Sequence, residues 1–473
     1  MNIDWEEIHS IHFVGLKGVA MTALAVWAKE AGFRVSGSDV DDIFPTDEIL
    51  ADANIRAHVG FDSQTLKKKR PDLVIYTGAH GGQDNDEVRE AKSLGIRIMS
   101  HGQALGEVMR RKRQISVAGS HGKTTTTAMI ATILCSAGKD PSYAIGCGKI
   151  FGLGLPGRSG YGDWFLAEAD EYVTDPHHDM TPRFLWQNPE ILVVTNIDFD
   201  HPDAYSSLGE IQQAFVKLAS QQQGRRVTIV NADDEASAVL LGDGLNDITT
   251  YGLSPRAGLR VLHVGFGERR TFFTLSENGV PVGEFTIKVP GLHNVVNAAA
   301  AAAAARSVGV RWDDIKAGLL LFGGTKRRFE EIGKIHGCTV YDDYAHHPKE
   351  IQATLAAARA WYPKQRIITV FQPHTYSRTK ALLAYFGVSF DKSDIVVIAD
   401  IYASAREHDT LGITSGDLAS EIRKRQVNVH QLHSYDSVSA FLLREGRDGD
   451  IMIFMGAGDI AGWGQQFVSE MTQ

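Results

Sequence analysis

Gly119-Ser120-His121-Gly122-Lys123-Thr124-Thr125 is the stretch whose residue types and spacing carry the most chemistry. An apolar run, Ile115 to Ala118, precedes it, and an apolar, glycine-poor segment, Ala128 to Cys135, follows. That is the order strand, glycine loop, helix. Backbone N–H groups of such a loop, together with the helix N-terminus, surround phosphate oxygens. Lys123 adds a positive charge there, and the Thr124 hydroxyl is a ligand for Mg²⁺. The strict pattern places a glycine five residues before Gly122, where this chain has Val117, so the loop is a short variant. The competing reading is an ordinary glycine turn before a helix. A Gly-Lys-Thr-Thr run at a strand-to-helix junction argues against it.

Carboxylates gather at two further strand ends. The apolar run Trp164–Ala167 leads into Glu168-Ala169-Asp170-Glu171, and Ile191–Thr195 leads into Asn196-Ile197-Asp198-Phe199-Asp200-His201. Ligands of parallel sheets bind beyond the carboxyl ends of the strands. Mg²⁺ takes oxygen ligands and keeps several waters, so one or two protein groups with phosphate oxygens suffice. Acidic and imidazole groups at two strand ends beside the phosphate loop therefore suit a divalent cation. Taken alone, the acidic turn reads equally as a solvated turn, and His201 as a cap or core histidine.

Three other clusters have polar groups dense enough for binding. Gly291-Leu292-His293-Asn294-Val295-Val296-Asn297 precedes an alanine-rich helix expected over 298–306. Its asparagines suit an adenine edge, and Asn294 equally suits an N-cap. Lys326-Arg327-Arg328-Phe329-Glu330 offers guanidinium forks for phosphate, or is a solvated basic linker. Tyr341-Asp342-Asp343-Tyr344-Ala345-His346-His347-Pro348 and Phe371-Gln372-Pro373-His374-Thr375-Tyr376-Ser377-Arg378 each follow a short apolar strand. Arg378 suits a carboxylate. His346 and His347 are adjacent and diverge on a regular element, which argues against a shared zinc.

The elements that must position these groups repeat one scheme. Three strand–glycine–helix openings imply three α/β units with mainly parallel sheets. The first, residues 1–110, has Gly15 and Gly18 after a strand and Asp39 at the end of the next, a Rossmann-like arrangement. Its Gly-x-x-Gly spacing departs from Gly-x-Gly-x-x-Gly, and a structural turn competes with a nucleotide site. The second unit, 111–321, carries the phosphate loop. Residues 246–290 read as a β-rich excursion beside its main sheet. The third, 322–473, is a further Rossmann-like unit ending in Met455-Gly456-Ala457-Gly458-Asp459.

Composition bounds the function. A chain of 473 residues exceeds one core, and 43% hydrophobic with 22% charged residues is ordinary for a globular protein. A net charge of −9 argues against a nucleic-acid surface. The three cysteines form no close pair and suit a reducing compartment. Without a signal-type segment or an uncharged stretch of spanning length, the expectation is a cytoplasmic protein with no membrane insertion.

Taken in order, these motifs resemble the Mur ligase family, the ATP-dependent amide-forming enzymes of peptidoglycan synthesis, over essentially the whole chain. The pieces are Gly-Ser-His-Gly-Lys-Thr-Thr-Thr-Thr, Glu-Ala-Asp-Glu, Thr-Asn-Ile-x-x-Asp-His, His-Asn-x-x-Asn, Arg-Arg-Phe-Glu, Asp-Asp-Tyr-Ala-His-His-Pro, Phe-Gln-Pro-His-x-Tyr-x-Arg-Thr and Met-Gly-Ala-Gly-Asp-Ile. The resemblance implies a first domain for a UDP-sugar, a central ATP-binding phosphate-loop domain, and a third domain that binds the amino acid and closes on ATP. It implies ATP and Mg²⁺ as cofactors. The reaction it implies is ligation of L-alanine to the carboxylate of UDP-N-acetylmuramate through an acyl phosphate.

By the same resemblance, Gly119, Ser120, His121, Gly122, Lys123, Thr124 and Thr125 hold ATP phosphates. Thr124, Glu168 and His201 hold Mg²⁺. His293 and Asn297 meet adenine, and Arg327 and Asp343 join the ATP side. His346, Arg378, Tyr344 and His374 face the reacting carboxylate and amino acid. Gly15, Gly18 and Asp39 hold the UDP portion, and His201 also borders substrate. Lys123, Glu168, His346 and Arg378 are the expected catalytic set.

Three features depart from the alanine-adding pattern. Gly15-Leu16-Lys17-Gly18-Val19-Ala20-Met21 replaces the more usual Gly-Ile-Gly-Gly-Ile-Gly-Met. Tyr172 to Asn188 is closer to the relative that recycles a preformed tripeptide, and that acceptor is the alternative. Lys217 lies near the position where some relatives carry a carbamylated lysine. Two other classes stay open at this point: a Rossmann oxidoreductase and a catalytically silent nucleotide-binding protein.

Overall fold

A computed structural model describes residues 4–42, 44–199, 204–242, 247–267, 269–403, 407, 409–426 and 428–471. His201 lies outside the described residues. The fold is α/β, built on three mainly parallel sheets. The chain forms two compact units. One comprises Met1–Val264, Phe272–Ile287 and Asn294–Gly323; the other comprises Gly265–Thr271, Lys288–His293 and Gly324–Gln473.

The first unit holds two sheets. Strands β1 (Ser10–Val14), β2 (Arg34–Asp39), β3 (Ala57–Val59), β4 (Leu73–Tyr76) and β5 (Arg97–Ser100) pair in parallel in the order β3-β2-β1-β4-β5. Order reverses at β1, so the crevice beyond β1 and β4 is the switch point where such sheets take ligands. Helix α1 (Val19–Glu30) follows β1 and buries Leu24, Val26 and Trp27 against the sheet.

The second sheet is built from β6 (Arg113–Ala118), β7 (Ser142–Ala144), β8 (Gly157–Arg158) and β9 (Trp164–Ala169). After a separate hairpin, β10 (Val173–Asp175) with β11 (Asp179–Pro182), it continues with β12 (Ile191–Val194), β13 (Val227–Asn231), β14 (Ile248–Gly252), β15 (Leu259–Gly267), β16 (Arg270–Glu277) and β17 (Val280–Ile287). Its order is β17-β16-β15-β14-β13-β12-β6-β9-β7-β8. β6 lies between β12 and β9, with Ala118 in register with Val194 and Ala169. Three strand ends that carry chemistry therefore emerge side by side.

Three local expectations change. The 246–290 excursion is not a separate β element: β14 pairs in parallel with β13, which joins those strands to the main sheet as one ten-stranded sheet. Glu168 lies inside β9 and not after it. The alanine-rich helix α3 begins earlier than expected. Helix α2 is Lys123–Ser136, and α3 is Leu292–Val308. Asn294 is thus inside α3 and is no N-cap. Burial decides this, because Ala298–Ala305 is enclosed on all sides, as a helix apolar all round must be.

The second unit holds β18 (Glu330–Ile335), β19 (Cys338–Asp343), β20 (Ile367–Phe371), β21 (Ile395–Ile398), β22 (Val429–Gln431) and β23 (Ile451–Met455), in the order β18-β19-β23-β20-β21-β22. Only β18 runs antiparallel. Helix α4 (Pro348–Trp361) starts with Pro348 in the first turn, where its missing N–H costs nothing. Helices α5 (Tyr376–Ala381) and α6 (Ile460–Met471) follow β20 and β23. Among the described residues no helix is long and apolar enough to cross a membrane.

Candidate active site

The phosphate loop joins β6 to α2, and a neighbouring strand end braces it. Ser120 N–H donates to Asn196 O at 3.1 Å. His121 N–H donates to Asn196 Oδ1 at 3.0 Å, and the Asn196 amide and the Thr195 hydroxyl both donate to His121 O, at 2.9 and 2.6 Å. Asp198 N–H donates to Ser120 Oγ at 2.8 Å. The Thr-Asn-Ile segment, read from sequence mainly as the approach to an acidic cluster, thus shapes the loop. Its signal was its place on the strand beside β6. Gly122 is left-handed (φ 83°), and a Cβ there would stand 2.6 Å from Asn297 Oδ1. Asn297 of α3 is therefore seated directly against the loop.

Carboxylates surround Lys123. Its Nζ donates to Gly119 O at 2.6 Å and pairs with Glu171 Oε2 at 2.8 Å. Burial works to lower this ammonium's pKa, but Glu171, Asp170 and Glu168 outweigh it and hold Lys123 above the ordinary lysine value. The Thr124 hydroxyl donates to Glu168 Oε2 at 2.8 Å, and Gly146 N–H donates to Glu168 Oε1 at 2.7 Å. Burial pushes the Glu168 pKa up, while Thr124, Lys123 and the Gly146 N–H pull the other way. A cation beside Glu168 would favour its ionised form.

These groups fit a hard divalent cation with nucleotide phosphate. Thr124 and Glu168 are oxygen donors that already meet. Glu171 is 1% exposed, and its Oε1 makes no hydrogen bond among the described residues. Among the described residues no group of three or more His, Cys, Asp or Glu is arranged to hold a metal. Glu171 was not expected to pair with Lys123; lying three residues past Glu168, it gave no pairing signal.

In the first sheet, Gly15 directly follows β1 and Gly18 precedes α1. Asp39, 1% exposed, accepts from Lys17 N–H at 2.6 Å and Val40 N–H at 2.8 Å, with His80 Nε2 at 3.6 Å. Its carboxylate therefore braces the glycine loop. The atypical Lys17 turns its ammonium to Asp42 O at 2.7 Å and the Asp47 carboxylate at 3.4 Å, tying down the segment after β2. Lys217 is exposed near the end of helix Leu208–Ser220.

In the second unit, Arg327 is pinned inside the domain. Its Nε donates to Asp342 at 3.2 Å and a terminal nitrogen donates to Gly456 O at 2.6 Å. Asp343, 3% exposed, accepts from Phe329 N–H, Ala345 N–H and Thr354 Oγ. Burial, opposed by Arg328, leaves its pKa raised. Tyr344 lies beneath both guanidinium groups, 5.0 Å from Arg327 and 5.3 Å from Arg328. His346 meets Tyr344 edge-on and stands 6.0 Å from the His374 ring, which stacks on Tyr402. Burial lowers the His346 pKa and favours a neutral imidazole. Arg378 sits on α5, four residues after His374. Tyr344, His346 and His374 are thus brought together, while Arg327 and Asp343 hold the turn beside them. His293 is exposed in the first turn of α3.

Comparison with known proteins matches this arrangement. Residues 10–113 match the Mur ligase family catalytic domain, 176–305 the Mur ligase middle domain, and 327–458 the Mur ligase glutamate ligase domain. The chain is 40% identical over 460 residues to UDP-N-acetylmuramate–L-alanine ligase of Desulfitobacterium hafniense, covering 97% of this chain and 99% of that protein. It is 38% identical over 472 residues to the enzyme of the same name from Caldanaerobacter subterraneus, covering 99% of each. The solved UDP-N-acetylmuramate–alanine ligase of Thermotoga maritima superposes with a TM-score of 0.81 at 26% identity, covering 98% of this chain and 99% of that one. A murein peptide ligase from Psychrobacter arcticus superposes with a TM-score of 0.71 at 25% identity, covering 98% of each. With the phosphate loop, its acidic partners and the third-sheet cluster in place, and relatives matched end to end, this chain belongs to the Mur ligase family.

Proposed function

We propose that this protein joins L-alanine to the carboxylate of UDP-N-acetylmuramate, driven by ATP, in the cytoplasmic stage of peptidoglycan precursor synthesis. The observation that carries the reading is the phosphate loop with Lys123 bonded to the buried Glu171 carboxylate and Thr124 to the half-buried Glu168. The end-to-end similarity to enzymes of that name supports it. We assign residues 1–110 to the sugar nucleotide, 111–321 to ATP, and 322–473 to the amino acid.

The muramate carboxylate attacks the γ-phosphorus of ATP, giving an acyl phosphate and ADP. The L-alanine amine then attacks the acyl carbon, and phosphate leaves from the tetrahedral intermediate. Gly119 to Thr125 cradle the phosphates, and Lys123 offsets charge that builds on the transferred group. Thr124, Glu168 and His201 are the residues to hold Mg²⁺, which when bound neutralises phosphate charge. Asn297 and His293 border the base. Tyr344, His346, His374 and Arg378 receive the carboxylate and the amine, with Arg378 the fork for a carboxylate. Arg327 and Asp343 serve this group by holding the turn that carries Arg328 and Tyr344.

The test is phosphate release with UDP-N-acetylmuramate, ATP and Mg²⁺, comparing L-alanine, glycine, L-serine and the tripeptide L-alanyl-γ-D-glutamyl-meso-diaminopimelate. L-alanine is expected to give the highest kcat/KM. Turnover with the tripeptide alone would replace this reading by the recycling activity.

A further inference from the structure

Asp175 ends β10, in the hairpin that leaves the phosphate-loop sheet between β9 and β12, yet its carboxylate is set into a loop of the first sheet. The residue is fully buried. Its Oδ2 accepts Gln83 N–H at 3.0 Å, and its Oδ1 accepts His177 N–H at 3.2 Å. The receiving loop follows β4 and is folded around this carboxylate. His80, Gly81 and Gly82 are consecutive left-handed residues with φ of 52°, 87° and 53°. A Cβ on Gly82 would stand 2.6 Å from Asp175 Oδ1, and one on Gly78 would stand 2.6 Å from Thr174 O. A second contact pins the far end of the loop, His178 Nε2 to Asp84 Oδ2 at 2.7 Å.

The segment that supplies Asp175 is itself rigid. Thr174 Oγ donates to Thr181 O at 2.6 Å and accepts Trp186 Nε1–H at 3.0 Å. Arg183 donates to Val173 O at 3.1 Å and pairs with Asp170 at 2.9 Å. Its root is Glu171, the partner of Lys123. The loop it grips forms one rim with the β1 glycine turn: His80 Nε2 stands 3.6 Å from Asp39, and a Cβ on Gly15 would stand 3.7 Å from the His80 ring. That rim borders the crevice at the switch point of the first sheet. A buried carboxylate that accepts one N–H from the loop, that of Gln83, and one from its own segment, that of His177, fixes backbone position, because leaving either side unpaired is costly.

We propose that Asp175 is a positioning residue for the sugar-nucleotide site, reaching across from the β10–β11 hairpin to set the Gly78–Asp84 loop. The proposal rests on the function stated above. It places the unusual stretch after Glu171 in the binding of the sugar nucleotide, with no contact of its own to the reacting atoms.

The experiment compares full-length wild type, Asp175→Asn and Gly82→Ala. Steady-state kinetics in UDP-N-acetylmuramate, ATP and L-alanine are paired with calorimetric titration of UDP-N-acetylmuramate. Asp175→Asn is expected to raise KM and Kd for the sugar nucleotide at least tenfold, leaving kcat and the KM values for ATP and L-alanine within twofold. A sugar-nucleotide KM within twofold of wild type, or equal rises in all three KM values, overturns it. Gly82→Ala disturbs the same contact from the loop side and is expected to give the same split; where Asp175→Asn fails to fold, Gly82→Ala decides alone. Wild type that neither binds nor turns over UDP-N-acetylmuramate refutes the functional reading instead, a result distinct from a missing split.

Discussion

Lys123 and Glu171 form a close ion pair at the phosphate loop, Nζ to Oε2 at 2.8 Å, while the second Glu171 oxygen is buried without a hydrogen bond among the described residues. The lysine that should neutralise a nucleotide phosphate is therefore already neutralised. A phosphate oxygen entering the loop competes with Glu171 for the ammonium. In the proposed reaction Lys123 acts as a cation, and its raised pKa keeps it charged.

This pair separates two substitutions that both remove it. Lys123→Ala takes away the charge and is expected to lower ligase turnover by about 10²–10³-fold, the scale for losing one transition-state charge contact. Glu171→Gln takes away only the competitor, and is expected to lower KM for ATP several-fold. Initial-rate phosphate assays measure both. Near-normal ligation by Lys123→Ala would sink the assignment of the loop, and an unchanged ATP KM in Glu171→Gln would show that the pair imposes no competition.

Glu168 bonds to Thr124 and the Gly146 N–H, and burial raises its pKa. Glu168→Gln keeps the shape and removes the charge. The Mg²⁺ concentration for half-maximal rate is expected to rise at least tenfold, with a smaller change in KM for L-alanine. A Mg²⁺ titration at saturating ATP decides it, and an unchanged midpoint would remove Glu168 from the metal group.

The three main parallel sheets, the phosphate loop and the cluster at the strand ends of the last sheet were legible in sequence because each rests on a local pattern: apolar strand, glycine, helix. The Asp343, His346 and Arg378 motifs sit at strand ends, as their spacing implied. What sequence did not carry was partnership at a distance. Lys123 with Glu171, Asn297 with the Gly122 turn, and Asp175 with the Gly82 loop join residues 48, 175 and 93 positions apart in number. Sheet order creates those meetings, and no local period encodes it. The start of α3 was misjudged for a related reason: Asn294 and Asn297 have weak helix propensity, and burial overrides it.

His101 opens the helix that follows β5, with Nε2 3.2 Å from Ala20 O and with Arg183 and Asp170 nearby. Burial, aided by Arg183 and opposed by Asp170, lowers its pKa to about 4. The unfolded chain takes this proton more readily, at a pKa of about 6.5. The contribution to stability is thus complete above pH of about 6.5 and is lost as pH falls toward 4, by up to about 3 kcal/mol. Thermal melts between pH 7.5 and 4.5 should show a decline that is shallower in His101→Gln. Equal slopes would assign the acid sensitivity to other groups.

Gly122 offers the sharpest test of the loop itself, because two separate penalties act there. Its φ of 83° disfavours any side chain, at a cost of roughly 1–2 kcal/mol. An added methyl would also stand 2.6 Å from Asn297 Oδ1, closer than packed atoms tolerate. Gly122→Ala is expected to raise KM for ATP by at least tenfold. Asn297→Ala removes the obstruction and leaves the backbone penalty, so in the Gly122→Ala background it should recover part of the loss. In wild type the same Asn297→Ala change should weaken ATP binding, since Asn297 borders the base in the proposed site. The two changes are therefore non-additive in a defined direction. Additive effects in a double-mutant cycle on ATP KM would mean that the methyl and Asn297 do not meet, and that strain at Gly122 alone governs the loop.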